Sequence, residues 1–228
     1  MGDPATPSLG YHLGLPAWGF PGWVDTYFPR PAAGDSTLGW YARVFNTVEG
    51  NTTFYRVPDE RTIARWGDAV AGTEFRFSFK LPQSITHNRQ PDWPDLGRFL
   101  RVIAPLGEHP GPILVQCPAS LAPADLPRLA TLLQRLTPDF DYALEVRHLD
   151  FFTEPQLLEP LLEKSGAGRV MFDSRPIYQN DAAHPEVLAA RHKKPDVPLL
   201  DAVYNDLVYA RVVLHPERAH NGPYIAQW

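Results

Sequence analysis

A single cysteine, Cys117, occurs among the 228 residues. One thiol excludes an internal disulfide and a zinc site of the multi-Cys type. No apolar run approaches the roughly 18 residues that a membrane span needs, so a membrane partner is not expected. Neither does a basic segment followed by an apolar stretch open the chain, so no secretory signal is read and a cytoplasmic location is the default. Positive charge is also scarce: 21 Lys and Arg stand against 26 Asp and Glu, a formal net charge of −5. The basic stripe that marks a duplex-binding surface is not visible in the linear sequence. GxGxxG, Walker A, GxSxG and HExxH patterns are all missing, so the common nucleotide, hydrolase and zinc-protease loops have no local support, and neither a metal nor a cofactor is called for. Two short matches carry little weight. Met1-Gly2 with Thr6 meets the myristoylation pattern only with Pro4 inside it, and Asn51-Thr52-Thr53 is a glycosylation acceptor without a secretory signal.

What the chain does have is 44% apolar residues, enough to bury one large α/β core. Six strand-like runs each end in a polar or charged residue: Glu49, Lys80, Gln116, Glu145, Asp173 and Arg211. By subtraction their spacings are 31, 36, 29, 28 and 38 residues. A strand, its crossover helix and two loops take roughly 30 or more residues. The spacing predicts a TIM-type (β/α) barrel whose active-site mouth is the ring of strand tips. Strands are read at 11–15, 47–53, 75–81, 112–117, 142–146, 169–172 and 207–214. In the third, Phe75, Phe77 and Phe79 alternate with Arg76, Ser78 and Lys80, giving one apolar face for helices and one facing inward. Helices are read from an N-cap at Ser36 through Trp40, Tyr41, Val44 and Phe45, after Pro58-Asp59-Glu60 with Ile63 and Trp66 on the buried side, and at 126–136, 157–164 and 184–194. Residues 1–10 read as a disordered tail and 11–228 as a single domain. An eighth strand with its helix is missing from the pattern, so the barrel is expected to lack its last βα unit and to be C-terminally incomplete.

Three clusters carry the candidate chemistry. In Val48-Glu49-Gly50-Asn51-Thr52-Thr53-Phe54-Tyr55-Arg56, period-two alternation places Glu49, Asn51 and Thr53 on one face. There a carboxylate and an amide serve either proton transfer and substrate orientation or the pinning of neighbouring strands. In Leu144-Glu145-Val146-Arg147-His148, Glu145 and Arg147 either pair with each other or act as an acid/base beside an anion grip, and His148 follows as a further acid/base candidate. In the segment from Lys80 to His87, the lysine suits anion binding better than a Schiff base. Gln116 is read as an inward hydrogen-bonding group. Asp173 is a proton acceptor or a partner for Arg211 or Lys80, and His215 lies four residues after Arg211.

At these residues the chain resembles the domain-of-unknown-function-72 family, also called YecE-like. The resemblance rests on Phe45 through Tyr55, on Phe75 through Lys80 with Ile85-Thr86-His87, on Leu114-Val115-Gln116-Cys117-Pro118, and on Leu144 through His148. The segment Arg211 through Glu217, with Asn221-Gly222-Pro223-Tyr224, is similar to a branch of the family with a His-Pro-Glu loop. The resemblance implies a TIM-type barrel and leaves the chemistry open, although relatives have been suggested to resemble barrel endonucleases and to bind DNA. Family members continue into another strand beyond the position of Trp228.

The leading expectation is an enzyme-like barrel that binds a small phosphate- or carboxylate-bearing ligand. Glu49, Glu145, Asp173 and His148 would be its proton-handling groups. Asn51, Tyr55, Arg56, Lys80, His87, Gln116, Arg147, Arg211 and His215 would hold the substrate. The alternative is a nucleic-acid-binding barrel using Arg56, Lys80, Arg147 and Arg211 on phosphates and Trp18, Trp23 and Tyr55 on bases. A third is a scaffold whose polar ring satisfies itself. Oligomeric state is not readable.

Overall fold

Phe75, Phe77 and Phe79 are all buried, and the indole of Trp66 stacks on the last two with centroid separations of 6.2 and 5.8 Å. That packing of a helix onto the apolar face of a strand is the unit from which the molecule is built. The structure is a computed structural model, and it describes residues 10–30, 37–181 and 183–228. The chain divides into two compact units, Met1–Ile113 and Leu114–Trp228.

The first unit carries a three-stranded parallel sheet, β1 (Gly14–Leu15), β2 (Thr47–Gly50) and β3 (Arg76–Phe79), in that order. Between β1 and β2 lies α1 (Thr37–Tyr41), and between β2 and β3 lie α2 (Thr52–Tyr55) and α3 (Glu60–Val70). After β3 come α4 (Gln83–Thr86) and α5 (Trp93–Ile103). Asp59 caps α3 by accepting from the Thr62 N–H, and Ile63 and Val70 are its buried positions. A buried tyrosine fixes the short first strand. The Tyr41 hydroxyl accepts from the Leu15 N–H at 2.7 Å and donates to the Thr47 carbonyl at 3.0 Å, bridging β1 and β2. Burial pushes the Tyr41 phenol up to about 12, although the Leu15 amide opposes the shift. Gly14 has no alternative at this contact, because a Cβ there would lie 2.0 Å from the Thr47 carbonyl oxygen.

The second unit carries a four-stranded parallel sheet, β4 (Ile113–Gln116), β5 (Tyr142–Glu145), β6 (Gly168–Asp173) and β7 (Tyr209–Val212), in sequence order. Its helices are α6 (Leu126–Gln134), α7 (Asp150–Thr153), α8 (Glu159–Ser165), α9 (Arg175–Tyr178), α10 (Pro185–Arg191) and the single turn α11 (Gly222–Ile225). Strands β4, β5 and β6 are buried along their whole length, as parallel strands covered on both faces are. The molecule is thus a mixed α/β protein with parallel sheets. Among the described residues no helix is long and apolar enough to cross a membrane.

The elements follow the sequence expectation closely at β3 to β6, and depart from it where turn chemistry competes. β2 stops at Gly50 instead of running to Thr53. The Asn51 N–H bonds to the Glu49 carbonyl at 3.0 Å, and the Thr53 hydroxyl donates to the Gly50 and Lys80 carbonyls. These local bonds roll the chain into α2, so Glu49, Asn51 and Thr53 do not share an extended face. β1 and β7 are shorter than expected, and α1 ends at Tyr41, before Val44 and Phe45. The N-cap expected at Ser36 and most of the expected N-terminal tail lie outside the described residues.

Candidate functional site

The six polar residues that punctuate the sequence all stand at the carboxyl ends of their strands. Glu49 and Arg211 are the penultimate residues of β2 and β7, Gln116, Glu145 and Asp173 close β4, β5 and β6, and Lys80 directly follows β3. Four of them, Lys80, Gln116, Glu145 and Asp173, are buried. Burying the three ionisable ones, Lys80, Glu145 and Asp173, requires pairing.

In the first unit Glu49 lies opposite Ser78 in the β2–β3 register, which brings its carboxylate to the lysine just past β3. Lys80 Nζ is 3.5 Å from Glu49 Oε1, with about a tenth of each side chain exposed. The ammonium also lies 5.4 Å from the centre of the Phe54 ring. Phe54 forms one wall of an open pocket of about 470 Å³, built from the segments that follow β2 and β3. Tyr55, Arg56 and His87, three residues singled out from the sequence, line it together. Asn51 does not; its amide reaches back to the Pro16 carbonyl at 2.9 Å. The His87 ring stands edge-on to Phe54 at 5.0 Å, and its Nδ1 lies 2.8 Å from the Thr86 hydroxyl.

The sequence reading missed the far side of this pocket. Gln83, Ser84, Asn88, Asp95 and Arg98 also line it. Asp95 accepts from the Ser84 hydroxyl at 2.5 Å and from Arg98 Nε and Nη2 at 3.2 and 2.7 Å. Arg98 is three residues along α5 from Asp95, a helical pair spacing that could have flagged it. Of the aromatic rings offered for base stacking, Trp18 packs edge-on to Trp66 and Trp23 stacks on Tyr41, whereas Tyr55 is 74% exposed.

In the second unit the carboxylate of Glu145 is 1% exposed and sits between two guanidinium groups. Arg147 Nε donates to Oε1 at 2.7 Å, and Arg211 Nη1 donates to Oε2. Both arginines also approach the ring of Phe172, at 6.0 and 5.8 Å. Burial pushes the Glu145 carboxyl up, and the charges of Arg211 and Arg147 outweigh it, holding the group below its ordinary value. Burial, and after it the Glu145 carboxylate, drives the fully buried Cys117 thiol up to about 12, away from the reactive thiolate.

Asp173 finds neither Arg211 nor Lys80. Its partner is Arg175, which donates from Nε at 2.9 Å and from Nη2 at 2.8 Å, while the indole of Trp228 donates to Oδ2 at 3.2 Å. Arg175 stands two residues after Asp173, at the start of α9, so the pair is a local one. Burial raises the Asp173 carboxyl and these hydrogen bonds prevail, leaving it below the usual carboxylate range. His148 is half-buried, with Nδ1 accepting from the Asp150 N–H at 3.3 Å. His215 is buried. Its Nδ1 accepts from the Glu217 N–H, and its backbone N–H and carbonyl are both engaged by the Asn221 amide at 2.8 Å. Among the described residues no group of three or more His, Cys, Asp or Glu side chains is arranged to hold a metal ion.

Residues 12–228 match the family model described as "Protein of unknown function DUF72". The chain belongs to the DUF72 family. It is 37% identical over 193 residues to the UPF0759 protein YecE of Escherichia coli (strain K12), a stretch covering 82% of this DUF72 chain and 68% of that relative. Among solved structures it is similar to a DUF72 family protein from Thermotoga maritima MSB8, with a TM-score of 0.67 at 22% identity over 91% of this chain and 75% of the other. It is also similar to a DUF72 family protein from Enterococcus faecalis V583, with a TM-score of 0.57 at 24% identity, covering 85% of this chain and 66% of that one. At such identities the two structures speak for the DUF72 fold alone.

Proposed function

We propose that this chain is an enzyme-like protein of TIM-barrel type that binds a small phosphate- or carboxylate-bearing ligand at the carboxyl ends of its strands. The observation that carries the reading is the pocket of about 470 Å³ following β2 and β3, which Arg56, His87 and Arg98 line together, and whose Phe54 wall meets the ammonium of Lys80, the partner of Glu49. Carboxyl strand ends are where α/β proteins place their ligands. An arginine presents planar paired donors to an anion. A lysine partly shielded from water beside a glutamate is equipped to exchange a proton with it. In this reading Arg56 and Arg98 hold the anion with His87 beside them, Lys80 supports them, and Glu49 handles the proton. In the second unit Glu145, Asp173 and His148 are the proton-handling candidates, with Gln116 and His215 orienting. Arg147 and Arg211 grip an internal carboxylate there, and would meet an external anion only in exchange for it. A cytoplasmic setting belongs to the same proposal.

A thermal-shift titration with phosphorylated metabolites, sugar acids and inorganic phosphate tests it, because a ligand that binds only the folded protein raises its apparent stability. Stabilisation by one anion class, lost in Arg56→Ala, is the expected result. A folded protein that responds to none of them, at concentrations up to several millimolar, removes the reading.

A second reading, a nucleic-acid-binding barrel like the endonuclease-type barrels, is favoured by one observation: Tyr55 stands exposed beside Arg56. Its mark would be binding of oligonucleotides that weakens steeply with salt.

A further inference from the structure

The pocket after β2 and β3 is much roomier than an inorganic anion requires. Its volume of about 470 Å³ lies within the range of sites that enclose whole organic ligands, roughly 300–1,000 Å³. Its lining is also chemically divided. One wall is a row of rings in which Tyr55 stands edge-on to Phe54 at 5.1 Å and Phe54 edge-on to His87 at 5.0 Å. Tyr55 ends the row with 74% of its surface in solvent, although a large aromatic ring gains by being covered. Two carboxamides, Gln83 and Asn88, supply both donors and acceptors. Arg56 and Arg98 supply the positive charge, with Arg98 held in place by Asp95.

Building on the anion reading above, we propose that the ligand is a nucleoside monophosphate: its base lies against Tyr55 and its phosphate against Arg56 and Arg98. A planar base is what an exposed ring at a pocket wall covers best, since every base has a π-face. Paired amides are the side chains that read the donor and acceptor edge of a base. A sugar phosphate would use the arginines and leave the aromatic wall uncovered.

Calorimetric titration of the whole chain with AMP, CMP, ribose 5-phosphate and inorganic phosphate separates the layers of this proposal. The expected order places either nucleoside monophosphate about tenfold or more ahead of ribose 5-phosphate, the scale of one base stacked on an aromatic ring. Tyr55→Ala should remove that advantage while leaving ribose 5-phosphate binding unchanged, and Tyr55→Phe should restore it. Arg56→Ala should weaken all the phosphates together. Because Tyr55 is exposed, the loss of its ring leaves the core intact, and circular dichroism of the variant verifies it. Equal affinities for AMP and ribose 5-phosphate, indifferent to Tyr55→Ala, would overturn the nucleotide assignment while the anion reading stood. Failure of every phosphate to bind would overturn the nucleotide assignment together with the phosphate form of the anion reading.

Discussion

Glu145 survives as a charge inside the second unit because two arginines stand against it. Placing an ion in a low-dielectric interior costs several kcal/mol, and the attraction of its partners offsets that only while all are present. Replacing one member is therefore worse than never having built the cluster. Glu145→Gln, which keeps the shape and removes the charge, should destabilise the chain by about 3 kcal/mol, read from urea unfolding at neutral pH. The pH dependence has a definite sign. The folded carboxyl is held below its ordinary value, so Glu145 contributes its stability in full above the unfolded value of about 4.3. That contribution is lost as pH falls through the depressed folded value. The gap in stability between the wild-type chain and Glu145→Gln should therefore be constant from neutral pH down to about 5, then narrow on further acidification. A gap that widened in acid would mean that the arginines do not dominate the carboxylate.

Strand β1 is two residues long, too short to hold its place by ladder bonds alone. Tyr41 supplies what is missing, since one hydroxyl serves the Leu15 N–H of β1 and the Thr47 carbonyl of β2. Asn46 adds a second clasp, accepting from the Leu13 N–H and donating to the Tyr11 carbonyl. Tyr41→Phe retains the ring and its stacking on Phe45 but leaves the Leu15 amide without that acceptor. The expected cost is about 1–3 kcal/mol, and hydrogen exchange at the Leu15 amide should accelerate more than exchange in β3. The same elements explain how much could be read in advance. The Phe75, Phe77 and Phe79 alternation and the polar residues closing β4, β5 and β6 are legible because strand geometry itself has period two. The roll of Asn51 through Tyr55 into α2 was hidden, since β-branched threonines point to a strand until the Thr53 hydroxyl finds the Gly50 and Lys80 carbonyls. Partner choice was hidden for the same reason: Asp173 turns to Arg175, and Asp95 recruits Ser84 from the segment after β3, through backbone turns that spacing does not encode.

At the scale of the whole molecule, the net charge of −5 and an isoelectric point near 5.9 set a limit on what the positive groups can attract. A long polyanion meets the field of the entire surface, whereas a small anion inside a pocket meets mainly the groups that line it. Arg56 and Arg98 gather in one pocket of the first unit, with Asp95 as the acidic member of its lining, an arrangement that favours the small ligand over duplex DNA. The two cases separate by salt. Binding that neutralises Z phosphates of duplex DNA falls with a slope of about −0.9Z in log–log form, whereas a small monophosphate loses far less over the same range. Raising sodium chloride from 50 to 200 mM should therefore weaken monophosphate binding by less than about tenfold. Fluorescence anisotropy with a labelled 20-base-pair duplex should show no saturable binding at the higher salt. Saturable duplex binding at 200 mM, with a slope of several units, would mean that a positive surface outside this pocket governs the molecule, and the nucleic-acid reading would then take first place.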